Sequence, residues 1–480
     1  MLRYQYRVRV AHSVKFGRPA WALAGARACG FAAFALASAS SAADPLEPPL
    51  LLGGAPDPKA HVVATDPRLP VGAAISTRDR PLGGERVCSP GGHVCAHGSR
   101  GVGPERLLAG LDALELAYRR VTIGLDLPAP LGDEGRGGSD ALDLYLVPSN
   151  PKALGYERVH VYSDTPRAGG FDRASGFCTA MADEPPLLER AATLCVGEAL
   201  ALALDPGETP DLRRAFATEL WWIVGQPTTL DFEAIDRVQA RPREAIAARE
   251  LGATSEGHAL FLEYLASRLG VGYPADFATA LLSASAQTTA AESPVWQNEP
   301  DWFDVLRHTI GGSDAKMASL LGDFAVTRAF LGDREDGEHL PSLAWSGRFG
   351  AASFDWVIPF STLPRRVRLT PVEPTGAALV WLDLTAAPQG FTLGVQTDWE
   401  PPAEFQWELV VLSTHGELSR LEVPFQERES GAEARLVDVH DARAIIIAGA
   451  HLERVDGDHP FDPDVAPFEP HGASVYLVEL

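Results

Sequence analysis

The chain has 480 residues, too many for one hydrophobic core and enough for two domains behind a leader. Hydrophobic residues make up 46% and charged residues 22%, the balance of a globular protein, which excludes the disordered class. With 64 acidic against 41 basic residues the formal net charge is −23, so nucleic acid and anionic membrane surfaces are repelled.

Residues 1–43 predict a signal peptide. They carry six basic residues (Arg3, Arg7, Arg9, Lys15, Arg18 and Arg27) and no acidic one, then a small apolar run from Ala28 to Ala39. Ala37-Ser38-Ala39 and Ser41-Ala42-Ala43 both offer a small-x-small cleavage site. The apolar run is too short to span a bilayer. Arg27 before Cys29 and the apolar run after it speak against a lipid anchor there, and no later stretch reads as a membrane anchor. Without the leader, 35 basic residues stand against 64 acidic ones, a net charge near −29, which reads as solubility outside the cytoplasm. The expected location is exported, in the periplasm or the medium.

Residues 44–85 are dense in proline and glycine (Pro45, Pro48, Pro49, Gly53, Gly54, Pro56, Pro58) and predict an extended arm with no assigned function. Four cysteines follow the leader: Cys88, Cys95, Cys178 and Cys195. In an exported chain an even number predicts disulfides, with the sequence-local pairs Cys88–Cys95 and Cys178–Cys195 favoured among three connectivities. A rival reading makes Cys88, His93, Cys95 and His97 a zinc knuckle.

Over Pro104–Leu125 the apolar residues Leu107, Leu108, Leu111, Leu114, Leu116 and Tyr118 recur at helical spacing behind a proline suited to the first turn. Ala141–Val147 alternates as a strand does, and a second extended stretch is expected around Arg158–Tyr162. Helical runs are expected at Leu187–Leu204, Asp211–Val224, Glu256–Leu269 and Asp301–Phe330, the first pair separated by Asp205-Pro206-Gly207. A small sheet followed by helices predicts an α+β domain over 86–350. Beyond Phe354 short runs rich in Val, Leu, Phe and Trp (377–384, 391–397, 405–412, 434–439, 444–450 and 474–480) are broken by Pro and Gly. They predict an immunoglobulin-like β-sandwich over 354–480, with Trp381, Trp399 and Trp407 between its sheets.

The order and spacing of HVCAHGSRG at His93–Gly101, LDLYLV at Leu142–Val147, LGYERV at Leu154–Val159, EGHALFLEYLASRLG at Glu256–Gly270 and LLGDFAVTRAF at Leu320–Phe330 resemble a family of secreted zincin-type metalloproteases found in myxobacteria and relatives. The resemblance runs from Val87 to Leu480. It implies a zincin-like fold and a His-Glu-x-x-His helix, two imidazoles one turn apart holding zinc beside a glutamate that activates water, with a third ligand from the next helix. The matching stretch here is Cys195–Ala201, with Gly197 and Ala201 at the histidine positions and Glu198 retained. Glu219 matches the third ligand, and an alternative register at Thr218–Trp222 also lacks both histidines. The chain is therefore expected to be a degenerate member, a pseudoprotease without zinc, binding an extracellular or envelope protein or peptide through the former cleft.

Other readings stay open. Glu198 and Glu219 on neighbouring helices could form an acid and base pair in an active hydrolase, or the chain could be a structural envelope protein. In the loop DGDHPFDPD, Asp456, Asp458, Asp462 and Asp464 are hard oxygen donors suited to calcium, against a turn in which they satisfy their own backbone. His258 beside Glu263 reads as structural, Ser313-x-x-Lys316 as a coincidence of spelling, and Trp221, Trp222, Trp296 and Trp302 as core.

Overall fold

The computed structural model describes residues 75, 78–81, 84–167, 171–246, 251–269, 274–289, 293, 296–298, 300–335, 339–401, 403–413, 421–422, 426–428, 430–452 and 470–480. The leader and the aspartate-rich loop with Asp456, Asp458, Asp462 and Asp464 lie outside the described residues.

The first sheet is built from β1 (Arg86–Cys88), β2 (Val94–Gly98), β3 (Leu142–Val147), β4 (Val159–Arg167) and β5 (Arg173–Met181), in the order β1-β2-β3-β5-β4. β2, β3 and β5 run parallel, while β1 and β4 are antiparallel edges. Alternation along each strand divides the sheet. Val94, Ala96, Leu142, Leu144, Leu146, Val159 and Cys178 enter the main hydrophobic core, while His97, Asp143, Tyr145, Phe177 and Tyr162 fall on the opposite face.

Helices α1 (Pro104–Arg119) and α2 (Pro185–Leu204) cover the apolar face. Both begin with proline in the first turn, where its missing N–H costs nothing. In α1 the core takes Leu107, Ala113, Leu114 and Ala117 and leaves Leu108 54% exposed, so the buried stripe is narrower than the apolar spacing suggests. α2 is buried on all sides from Ala191 to Ala203, as expected of a helix packed within the core. Six further helices follow: α3 (Pro210–Val224), α4 (Thr229–Gln239), α5 (Ala259–Leu269), α6 (Pro274–Ser285), α7 (Trp302–Thr309) and α8 (Asp314–Thr327). Among the described residues no helix is long and apolar enough to cross a membrane.

Both local disulfides form. Cys88–Cys95 joins β1 to β2, and Cys178–Cys195 fastens β5 to α2. The zinc knuckle is thereby excluded: its thiols are bonded to each other, His97 Nε2 lies 2.8 Å from Asp143 Oδ1, and His93 stacks on Tyr118. Alkylation without reduction should therefore leave these four cysteines unmodified. Replacing Cys178 and Cys195 together by alanine, which opens a cross-link with a sequence separation of 17, should lower stability by about 3 kcal/mol in urea titration.

The C-terminal part is β-rich. β6 (Trp356–Pro359), β7 (Arg365–Arg368), β8 (Ala377–Asp383), β9 (Phe391–Trp399), β10 (Glu404–Ser413), β11 (Leu421–Glu422), β12 (Gln426–Arg428), β13 (Gly431–Val439), β14 (Ala442–Leu452) and β15 (Ala473–Glu479) form two five-stranded sheets. Their orders are β11-β10-β14-β8-β6 and β12-β13-β9-β15-β7. Ala378, Val380, Leu382, Ile445, Ile447 and Trp407 pack toward the second of these sheets, against Leu393, Val395, Val475 and Leu477. On the same strands Ala377, Leu379, Ile446, Ala448, Val410 and Leu412 join the core of the helical part. α8 rests on this second face, and Gly322 allows the close approach, because a Cβ there would stand 2.8 Å from Gln406 Cγ.

The same alternation corrects the reading of the tryptophans. Trp407 is inside the pair of sheets and Trp399 packs partly against that core, but Trp381 faces the helical part and stacks edge-on with Phe354. Trp221, Trp222, Trp296 and Trp302 are all buried.

Candidate functional site

The residues matched to the zinc motif lie where α2 crosses α3. A Cβ on Gly197 would stand 2.7 Å from the Cα and Cβ of Ala217, so the two helices touch at that point and leave no room for an imidazole. Ala201 is fully buried and has no donor to offer. Glu198, beside this crossing, is ion-paired with Arg214 of α3. The Arg214 guanidinium also donates to Val159 O of the β4 edge strand at 2.8 Å and to Tyr156 O at 3.3 Å.

From there a chain of buried charges crosses the helices. Arg214 lies 3.5 Å from Glu256, Glu256 lies 3.2 Å from Arg190, and Arg190 Nε donates to Asp231 at 2.9 Å. Arg237 stands 3.8 Å from Glu256. Trp221 Nε1 and Trp222 Nε1 both donate to Asp231, as does the Thr228 amide at the start of α4. Three carboxylates and three guanidinium groups balance. Burial acts to raise the Asp231 carboxyl, but Arg190 and these donors hold it below its ordinary value. This network fixes Glu198 as an ion-pair partner. His160, on β4, is held below its ordinary value first by burial and then by Arg214, against the opposing influence of Glu198.

Glu219 points elsewhere. It is two positions from Ala217 on α3, so it leaves the opposite side of the helix, and it is fully buried with no hydrogen-bond partner on either oxygen. Burial and the nearby Glu263 of α5 push its carboxyl well above the usual range. Glu263, itself raised by burial, accepts from Ser342 Oγ at 2.9 Å. The structure thus places Glu198 and Glu219 apart, the first ion-paired with Arg214 and the second buried beside Glu263 with no hydrogen-bond partner. Their donor set does not fit zinc, and among the described residues no group of three His, Cys, Asp or Glu side chains is arranged to hold a metal ion.

His258 is buried with Nδ1 2.6 Å from Asp211 Oδ2, and it lines a small pocket with Glu244, Phe261, Phe324 and Arg328. A second small pocket, apolar, is lined by Phe216, Leu262, Leu281 and Trp302. Neither is lined by Glu198 or Glu219.

Sequence reasoning missed a polar cluster on the open face of the first sheet. Asp143 of β3, Asp164 of β4 and Asp133 of the preceding loop are each at most 1% exposed at the side chain, and all three are ion-paired with Arg80 of the arm. Arg136 supports Asp164 at 2.8 Å, His97 supports Asp143, and the Gly135 amide donates to Asp133 at 3.0 Å. Burial pushes the Asp133 carboxyl up to about 6, against the pull of Arg80 and with the push of Asp143. The one signal in the sequence was a charged residue, Asp143, inside an otherwise apolar strand.

No family model and no curated protein matches the chain. Among solved structures, the pre-peptidase C-terminal domain of collagenase from Bacillus anthracis aligns with 26% of this chain and 96% of its own, at 8% identity and a TM-score of 0.18. A likeness at that score carries no argument about fold or function.

Proposed function

We propose that the chain is an exported, catalytically silent relative of zincin-type metalloproteases that binds an extended segment of an extracellular or envelope protein along β4. In this reading residues 86–350 are a degenerate zincin-like domain and 354–480 an immunoglobulin-like sandwich. The observation that carries it is the pairing of Glu198 with Arg214 beside a helix crossing closed at Gly197. An internal guanidinium supplies the positive charge that a catalytic zinc would otherwise bring to this glutamate. Support for binding comes from the sheet: β4 is an antiparallel edge strand, and Met181 N donates to Arg158 O just before it. By the antiparallel alternation, the main-chain groups of Val161 and Ser163 are directed toward the outer side, the geometry that strand addition uses. The two disulfides fit an exported protein.

The test is metal analysis of the purified protein after exposure to zinc and dialysis, run beside a peptide-hydrolysis screen. The expected result is substoichiometric zinc and no cleavage. Stoichiometric zinc together with cleavage that disappears in Glu198→Gln would sink the reading.

A further inference from the structure

We propose that the open face of the first sheet is a recognition site for an extended Arg-x-Arg segment, and that Arg78 and Arg80 of the chain's own arm are its resident occupants. Arg80 inserts its guanidinium among Asp133, Asp143 and Asp164, with Nε 3.0 Å from Asp164 Oδ2 and its centre 5.1 Å from the Phe177 ring. Arg78 lies 4.7 Å over the ring of Tyr162. Asp164 and Tyr162 belong to β4, Phe177 to β5 and Asp143 to β3, so two arginines two residues apart engage three adjacent strands.

The chemistry of the pocket selects a guanidinium. Three carboxylates, each almost fully buried, converge on one point, and among the described residues the other basic groups against them are Arg136, whose side chain is 45% exposed at the rim, and the His97 imidazole. Left without a central cation they would repel one another in a poorly solvated place. An ammonium is a point charge with three donors, whereas a guanidinium offers five N–H groups in a planar fan that can serve three carboxylates at once. The aromatic rings of Phe177 and Tyr162 give flat surfaces on which guanidinium groups stack.

The occupant is attached by its side chains. The contacts described for Ile75, Arg78 and Arg80 are packing against the cluster of Ala174, Leu202 and Trp296, a ring contact, and ion pairs. A tether of this kind presents its ligand at millimolar effective concentration, so a free segment of the same chemistry competes poorly until the tethered arginine is removed. This inference does not depend on the loss of zinc or on strand addition at β4.

The experiment uses the full chain and a fluorescent peptide of residues 75–84, followed by anisotropy. The wild-type chain should bind the peptide at least tenfold more weakly than the Arg80→Ala chain. Adding Asp143→Asn to that variant should remove at least tenfold in affinity, and a peptide with alanine in place of Arg80 should not bind. Equal binding to wild type and variant, or no binding by a variant with a wild-type near-ultraviolet dichroism spectrum, would overturn the proposal. A measurement that needs no variant guards against misfolding: saturating peptide should expose the guanidinium groups of Arg78 and Arg80 in the wild-type chain to modification by excess phenylglyoxal, read by mass spectrometry. Unchanged modification of Arg80 would overturn it equally.

Discussion

Replacing Glu219 by glutamine should stabilise the protein at pH 7–8 by roughly 1.4 kcal/mol for each pH unit by which folding raises the titration of the carboxyl, and the gain should vanish toward pH 4. Glutamine keeps the shape and removes the ionisation. Glu219 is fully buried without a hydrogen-bond partner, beside Glu263, and its carboxyl is raised well above its ordinary 4.5. The folded state therefore retains a proton that the unfolded state has lost, so stability falls as pH rises above 4.5. Below that pH both states are protonated and the substitution changes little. Thermal unfolding of wild type and variant at pH 4, 6 and 8 checks this, and a difference independent of pH would show that Glu219 is compensated.

The opposite outcome is expected for the buried charge network. Arg190→Met should cost about 3–5 kcal/mol, because it leaves Asp231 buried without its guanidinium and takes from Glu256 the nearest of its three. Removal of the exposed pair partner in Arg106→Ala should stay within about 1 kcal/mol, since Glu184 across from it is 74% exposed. Urea titration of both variants measures the contrast. If Arg190→Met is as mild as Arg106→Ala, the network does not hold Glu198 in place as described.

Much of the C-terminal β-rich part was legible in the sequence. Period-two alternation with proline and glycine punctuation marked β8, β9, β10, β13, β14 and β15 to within three residues at either end. β6 and β7 were not, since four-residue strands such as Arg365–Arg368 carry too little alternation and too much charge. β2 and β5 were missed for a related reason: VCAHG is short, and RASGFCTAM is poor in β-branched residues, so only burial in a sheet makes them strands. α4 and α6 also escaped, TLDFEAIDRVQ because half of its residues are polar and PADFATALLSAS because its apolar residues are mostly small.

The sites were less legible. That Gly197 and Ala201 cannot bind metal follows from their identities, but the contact that closes Gly197 against Ala217 depends on helix packing. The surroundings of Glu198 and Glu219 were set by which face of each helix they leave. The aspartates at 133, 143 and 164 come from a loop and two strands, and Arg80 is 84 residues from Asp164. No local pattern joins them, and only the strand order puts them together.

The middle layer of the molecule, the sheet carrying β14, has both faces apolar and both covered, by helices on one side and strands on the other. The stretch beyond the change of texture near residue 354 thus has a core of its own and also lends one face of a sheet to the helical core. The helical part and the paired sheets share one interior through Ile446 and Ala448, so loosening either withdraws the wall against which the other is built. α8 is thus packed on β14, a strand more than a hundred residues further along the chain.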